Sequence, residues 1–156
     1  MPDAALLFVC DSMLGRLAKS LRMLGFDTLY ARSRTPQELV QKALEQQRII
    51  LTRRTTFLKN KKAAAFSFIT SNAPADQLRE VVAACSIKKA SIRPFTICLC
   101  CNVPLADLAK EAAEGRVPDY VLTTVNHFAA CPCCSRVYWQ GTHYANMADR
   151  ILKIID

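Results

Sequence analysis

The chain has 156 residues, 51% of them apolar, enough for one domain with a proper core or a small domain joined to a metal-stapled module, and too few for two full-sized domains. It contains no apolar run long enough to span a bilayer, and Met1-Pro2-Asp3 lacks the basic and apolar regions of a signal peptide, so an intracellular protein, cytoplasmic or nuclear, is expected. The formal net charge of +8 is uneven: residues 1–62 carry 12 basic and 5 acidic side chains and residues 63–156 carry 9 and 8, which gives the first half a positive field and points to a polyanion, nucleic acid before membrane.

Leu6 to Cys10 is an apolar run of strand length, and Asp11-Ser12 supplies the side chains that cap a helix. Met13, Leu14, Leu17, Leu21 and Leu24 follow at helical spacing, with Arg16, Lys19 and Arg22 on a different stripe and Gly25 as terminator. Thr28–Ala31 reads as a second strand, and Thr35-Pro36 opens a helix lined by Leu39, Val40, Ala43 and Leu44. Ile49–Thr52 gives a third strand, Phe57-Leu58 a short helical turn, Phe66–Ile69 a fourth strand, and Pro74 opens a helix through Leu78, Val81 and Val82. This alternation predicts right-handed crossovers and a parallel sheet with helices on both faces. With only four glycines there is no Gly-x-Gly-x-x-Gly or Walker loop, which excludes the usual dinucleotide and P-loop sites. Lys88–Pro94 reads as a linker, dividing an α/β domain over residues 1–90 from a loop-rich module over residues 91–156.

Six of the eight cysteines fall in two tight clusters, Cys98, Cys100, Cys101 and Cys131, Cys133, Cys134. In a chain without a secretory signal that is metal spacing rather than a disulfide framework. Cys98-x-x-Cys101 and Cys131-x-x-Cys134 each form a knuckle able to place two thiolates on one tetrahedral ion, although Cys100 or Cys133 could replace a neighbour. Four thiolates leave no open position for water, so the expected zinc is structural and stabilises a zinc ribbon whose loss should leave the parallel sheet largely intact. Cys10 and Cys85 read as core thiols, and His127 and His143 as residues away from the metal.

Several segments together resemble the Mut-seven C-terminal RNase-like family, a PIN-like nuclease fold followed by a zinc ribbon. They are Phe8-Val9-Cys10-Asp11-Ser12-Met13-Leu14-Gly15-Arg16-Leu17-Ala18, Arg48-Ile49-Ile50-Leu51-Thr52-Arg53, Gln77-Leu78-Arg79-Glu80-Val81, Cys98-Leu99-Cys100-Cys101-Asn102 and the run from Cys131 to His143. The resemblance implies single-stranded RNA as substrate and a carboxylate cluster holding Mg²⁺ or Mn²⁺ at the carboxyl ends of the strands. It also implies a place at the C-terminus of a larger 3'-5' exoribonuclease acting in RNA processing or silencing. Asp11 matches the family's first acid, and Glu38 is a candidate second. The third is expected in Leu-Thr-Arg-Asp, where this chain has Leu51-Thr52-Arg53-Arg54; beyond the fourth strand Asn72 stands where an acid is expected. A guanidinium at an acid position changes the local charge by two units, repels a divalent ion and invites an ion pair between Arg54 and Asp11 or Glu38.

Three functions compete. The first is a nuclease-impaired RNA-binding module whose groove uses Arg16, Lys19, Arg22, Arg53 and Arg54. The second is an active metal-dependent ribonuclease using Asp11 and Glu38 with a substitute ligand such as Asp76. In the third, Tyr138, Trp139 and Tyr144 of the C-terminal module dock a protein partner.

Overall fold

The computed structural model describes residues 5–32, 35–56 and 65–155; the helical turn expected at Phe57-Leu58 lies outside them. Four short parallel strands, β1 (Phe8–Asp11), β2 (Thr28–Ala31), β3 (Ile49–Thr52) and β4 (Phe66–Phe68), run in the order β2-β1-β3-β4. β1 pairs on both sides, Phe8 opposite Thr28 and Ile49, and is buried along its whole length. That explains its unbroken apolar sequence up to Asp11, because a strand covered on both faces has no solvent side to alternate with.

Alternate residues of β1 feed two cores. Phe8 and Cys10 join Leu17, Leu21 and Leu24 beneath α1 (Gly15–Met23) and Leu78 and Val81 of α3 (Pro74–Ala84). Val9 meets Leu39 and Ala43 of α2 (Pro36–Gln46) on the other face. Helices therefore cover both faces of the sheet, as the alternation implied. α2 begins with a complete capping box, in which Thr35 Oγ1 accepts from Glu38 N and Glu38 Oε2 accepts from Thr35 N, with Pro36 in the first turn. The helix expected from Met13 instead enters through a 3₁₀ turn, Ser12–Leu14, tied by the Tyr30 hydroxyl, which donates to Ser12 O at 2.7 Å. After α1 the chain turns at Gly25, with φ of 90°; a Cβ there would overlap the Arg93 carbonyl, so only glycine fits.

The remaining residues form an antiparallel sheet of β5 (Ala106–Leu108), β6 (Phe128–Ala130) and β7 (Val137–Trp139), packed on α4 (Lys110–Ala113) and α5 (Asp119–Thr124) around Ala113, Val117, Val121 and Phe128. The last helix, α6 (Thr142–Ile155), leaves this module and returns to the first: Ile151, Leu152, Ile154 and Ile155 pack against the core beneath α1 and α3. Residues 91–156 therefore complete the core of residues 1–90. Among the described residues, no helix is long and apolar enough to cross a membrane.

Candidate metal centre and nucleic-acid interface

The Sγ atoms of Cys98, Cys101, Cys131 and Cys134 lie within 4.8 Å of one another. A tetrahedral zinc with bonds of about 2.3 Å separates its sulfurs by about 3.8 Å, the distance between Cys98 Sγ and Cys134 Sγ, so the donor set fits a thiophilic ion such as zinc. The two knuckles repeat each other bond for bond. Cys98 N donates to Val103 O and Asn102 N to Cys98 O; Cys131 N donates to Arg136 O and Ser135 N to Cys131 O, all between 2.9 and 3.0 Å. Each knuckle closes on a left-handed residue, Asn102 (φ 58°) and Ser135 (φ 64°). These turns aim amides at sulfur: Cys101 N at Cys98 Sγ, and Cys133 N and Cys134 N at Cys131 Sγ. Cys100 and Cys133 are exposed and lie outside this group of four sulfurs. Burial opposes ionisation of Cys98, yet the Tyr138 hydroxyl and the amides of Cys101 and Cys100 outweigh it and bring its pKa down to about 6, whereas the Cys134 thiol beside Cys101 pushes that residue's pKa up. Cys10 is a fully buried core thiol, pushed far up by desolvation.

Arg22 corrects the sequence reading. Its guanidinium is buried rather than on an RNA-facing rim, donating from Nε to Thr28 O at 2.9 Å and from Nη1 to Leu99 O of the first knuckle at 2.8 Å. The reason is geometric. At about 100° per residue, a spacing of three drifts by about 60° at each step, so Arg22 lies about 120° round the helix from Arg16, on the side turned to the protein. Asn102 reinforces this seam by accepting from Thr28 N at 2.8 Å and donating to Asp27 Oδ1 at 2.6 Å, where Arg48 also binds at 2.8 Å. Burial works against the Asp27 charge, but Arg48 and Asn102 hold its carboxyl below the usual range.

At the opposite, carboxyl end of the sheet, Asp11 is fully buried. Its Oδ1 accepts from Ser12 N at 2.7 Å, and its Oδ2 accepts from Thr52 Oγ1 at 2.9 Å and pairs with Arg54 Nε at 2.8 Å. The ion pair expected from the arginine at the acid position is thus present, and Arg54 is 30% exposed. Thr52 fixes both partners, because its hydroxyl donates to Asp11 while accepting from Arg54 N at 3.0 Å. Beside it Arg53 Nη2 donates to Asn72 Oδ1 at 2.6 Å. Glu80 holds that loop through Thr70 N, Thr70 Oγ1 and Ser71 N; those bonds outweigh partial burial and lower its pKa. Arg16 and Lys19 stand exposed on α1.

The other candidate acids are spent elsewhere. Glu38 is exposed and closes the capping box, and Asp76 is exposed and paired with Arg79 at 2.6 Å. Among the described residues, neither joins Asp11 in a cluster of three potential ligands. Sequence reasoning missed Thr52, Asn72 and Glu80 as organisers of the rim, Tyr138 as a sulfur partner and Asn102 as the seam residue. Only Asn102 left a usable signal, its place directly after Cys98-x-x-Cys101, where knuckles commonly demand a positive φ.

A family model described as the Mut7-C RNAse domain matches residues 7–151, nearly the whole chain. No curated protein and no solved structure gives a significant match.

Proposed function

The chain belongs to the Mut7-C RNAse domain family, and from that premise we propose that it is a single-stranded RNA-binding module of ribonuclease type in which an arginine has taken the place of the catalytic metal. One observation carries this reading: the buried carboxylate of Asp11 is neutralised by Arg54 at 2.8 Å. A guanidinium cannot be deprotonated in a protein and cannot ligate a cation, so it removes the negative charge that Mg²⁺ or Mn²⁺ requires and activates no water. It retains N–H donors suited to phosphate. With Arg53 beside it and Arg16 and Lys19 on α1, the rim offers the backbone of an RNA strand a row of positive charges. The four cysteines would hold zinc as a closed structural ion whose chemistry is to bind thiolates and fix the two knuckles. As an intracellular module, the chain would deliver RNA to the catalytic part of a larger exoribonuclease.

The test is a titration of labelled single-stranded RNA with and without Mn²⁺, followed by a cleavage gel. Salt-sensitive binding without cleavage is the expected result. Mn²⁺-dependent cleavage abolished by Asp11→Asn would replace this reading with an active nuclease.

A further inference from the structure

The second module has a cavity that neither the cysteine cluster nor the Asp11 rim uses. It encloses about 480 Å³ between α5, β7 and the first turn of α6, within the roughly 300–1,000 Å³ range of small-ligand sites. Its aromatic lining divides into committed and uncommitted rings. The Tyr138 hydroxyl accepts from Leu99 N and bonds Cys98 Sγ, and Tyr144 packs edge-on against Phe95 with centroids 5.4 Å apart. Tyr120, from α5, is 71% exposed, and His143, from α6, is exposed as well. Trp139, from β7, is half-buried, its indole laid so close to Gly141 that a Cβ there would come within 3.0 Å of Nε1. Among the described residues, no ring pair engages Tyr120, Trp139 or His143. Three rings from three elements thus border one concavity without a ring partner among the described residues, Trp139 also packing against the apolar cluster of Ala113, Val117, Val121 and Phe128.

The polar side of the cavity narrows the choice of occupant. α6 is fourteen residues long, has no acidic residue in its first turn, and opens directly into the cavity at Thr142 and His143. First-turn amides have no acceptor within their own helix, and a helix start favours negative charge. An apolar protein side chain would fill the aromatic walls and leave those amides unanswered. A nucleobase with its phosphate answers both.

We propose that this cavity is a base-binding subsite for single-stranded RNA, in which an unstacked base lodges against Trp139 and Tyr120 with its phosphate at the start of α6. The inference rests on the RNA-binding reading above and adds a site remote from the Asp11 rim. α6, about 20 Å long at 1.5 Å per residue, leads from the cavity to the core beneath α1 and α3.

Trp139 is the only tryptophan in the chain, which makes its emission a direct reporter. The zinc-loaded full chain is titrated with a ten-nucleotide single-stranded RNA of mixed sequence and, separately, with inorganic polyphosphate, which has charge and no bases. RNA should quench Trp139, whereas polyphosphate should bind without quenching. Tyr120→Ala, at an exposed position that leaves folding intact, should weaken RNA binding roughly 5- to 150-fold, the value of one stacked base, and leave polyphosphate affinity unchanged; His143→Ala should shift affinity in the same direction. Full-strength, salt-sensitive RNA binding with unchanged Trp139 emission and no response to Tyr120→Ala would overturn the subsite and leave the RNA reading intact. No RNA binding by the unsubstituted chain would overturn that reading and the subsite with it.

Discussion

Stripping the four-cysteine centre with a chelator should weaken the parallel sheet as well as the ribbon, because the first knuckle is bonded to the sheet through buried groups. When the knuckle loses its ion, Leu99 O and Asn102 leave together. Arg22 Nη1, with a 2.8 Å bond to Leu99 O from a buried guanidinium, then loses a charge-assisted hydrogen bond worth about 1.5–3 kcal/mol. Asn102 removes two more bonds, to Thr28 N and Asp27 Oδ1, each worth about 1 kcal/mol where one partner is partly solvated. Since neighbouring terms do not simply add, the coupled loss is about 3–4 kcal/mol. That is a large share of the roughly 5–15 kcal/mol that holds an ordinary domain together. At roughly 2–4 °C per kcal/mol for a chain of this size, it corresponds to a Tm drop of about 6–16 °C. Amide hydrogen exchange on peptides spanning β1 and β2, with and without chelator, reads the effect where it is expected. Arg22→Met supplies the control: with the seam bond already gone, chelation should cost β1 and β2 less protection than it costs the unsubstituted chain. Unchanged protection of β1 and β2 after chelation, or equal chelator sensitivity in Arg22→Met, would refute the coupling and restore an independent ribbon.

At the rim, Arg54→Asp should raise Mn²⁺ affinity beside Asp11, measurable by calorimetry, with little recovery of cleavage because Glu38 and Asp76 are engaged elsewhere. If Arg16, Lys19 and Arg53 contact phosphates, their replacement by Gln should reduce the slope of log K against log salt by about 0.7 per lost contact, whereas replacing Lys110 and Arg116, or Arg22 alone, should leave the slope unchanged. The pH dependence follows from Asp27 and Glu80, both depressed in the native state. A depressed carboxyl contributes stability that is present above its unfolded pKa of about 4 and is lost as pH falls through the native value. The urea midpoint should therefore hold steady from pH 7 to about 5 and fall below about pH 4, with Asp27→Asn showing a smaller acid loss.

The sequence made the sheet legible where a residue's burial follows from its neighbours along the chain. Leu6 to Cys10 read as a strand and Thr35-Pro36 as a helix start, and the structure has them at Phe8–Asp11 and Pro36–Gln46; the two Cys-x-x-Cys pairs read as one metal site, and their four sulfurs lie within 4.8 Å of one another. Arg54 against Asp11 was readable too, because two opposite charges placed at adjacent strand ends have little else to meet. What escaped depended on contacts between distant parts of the chain. Arg22 looked like the continuation of a basic stripe, and only the drift of a three-residue spacing, together with a carbonyl 77 residues away, draws it inside. The return of α6 to the first core was hidden for a related reason. Ile151, Leu152, Ile154 and Ile155 advertise an apolar helix face and do not say which core it covers.

The two ends of the sheet show one electrostatic problem answered in two ways. A buried carboxylate needs a counter-charge, and in a metal-dependent nuclease the ion provides it while also generating the attacking hydroxide. At Asp11 the counter-charge is covalently part of the chain, held by Ser12, Thr52 and Arg54, and hydroxide generation has no counterpart in a guanidinium. At Arg22 the relation is reversed: the buried cation is satisfied by the carbonyls of Thr28 and Leu99, the second of which stays in place only while its knuckle is folded. On the proposed reading, RNA affinity at the rim is then indifferent to Mg²⁺ and Mn²⁺, since no exchangeable ion sits between phosphate and protein. A chelator strong enough to strip thiolates still weakens binding, because it removes the carbonyl that Arg22 requires and loosens the strands whose ends carry the rim. Dependence on a thiophilic metal with indifference to the hard divalent cations is the behaviour that separates this arrangement from a working metallonuclease, in which both classes of ion are needed.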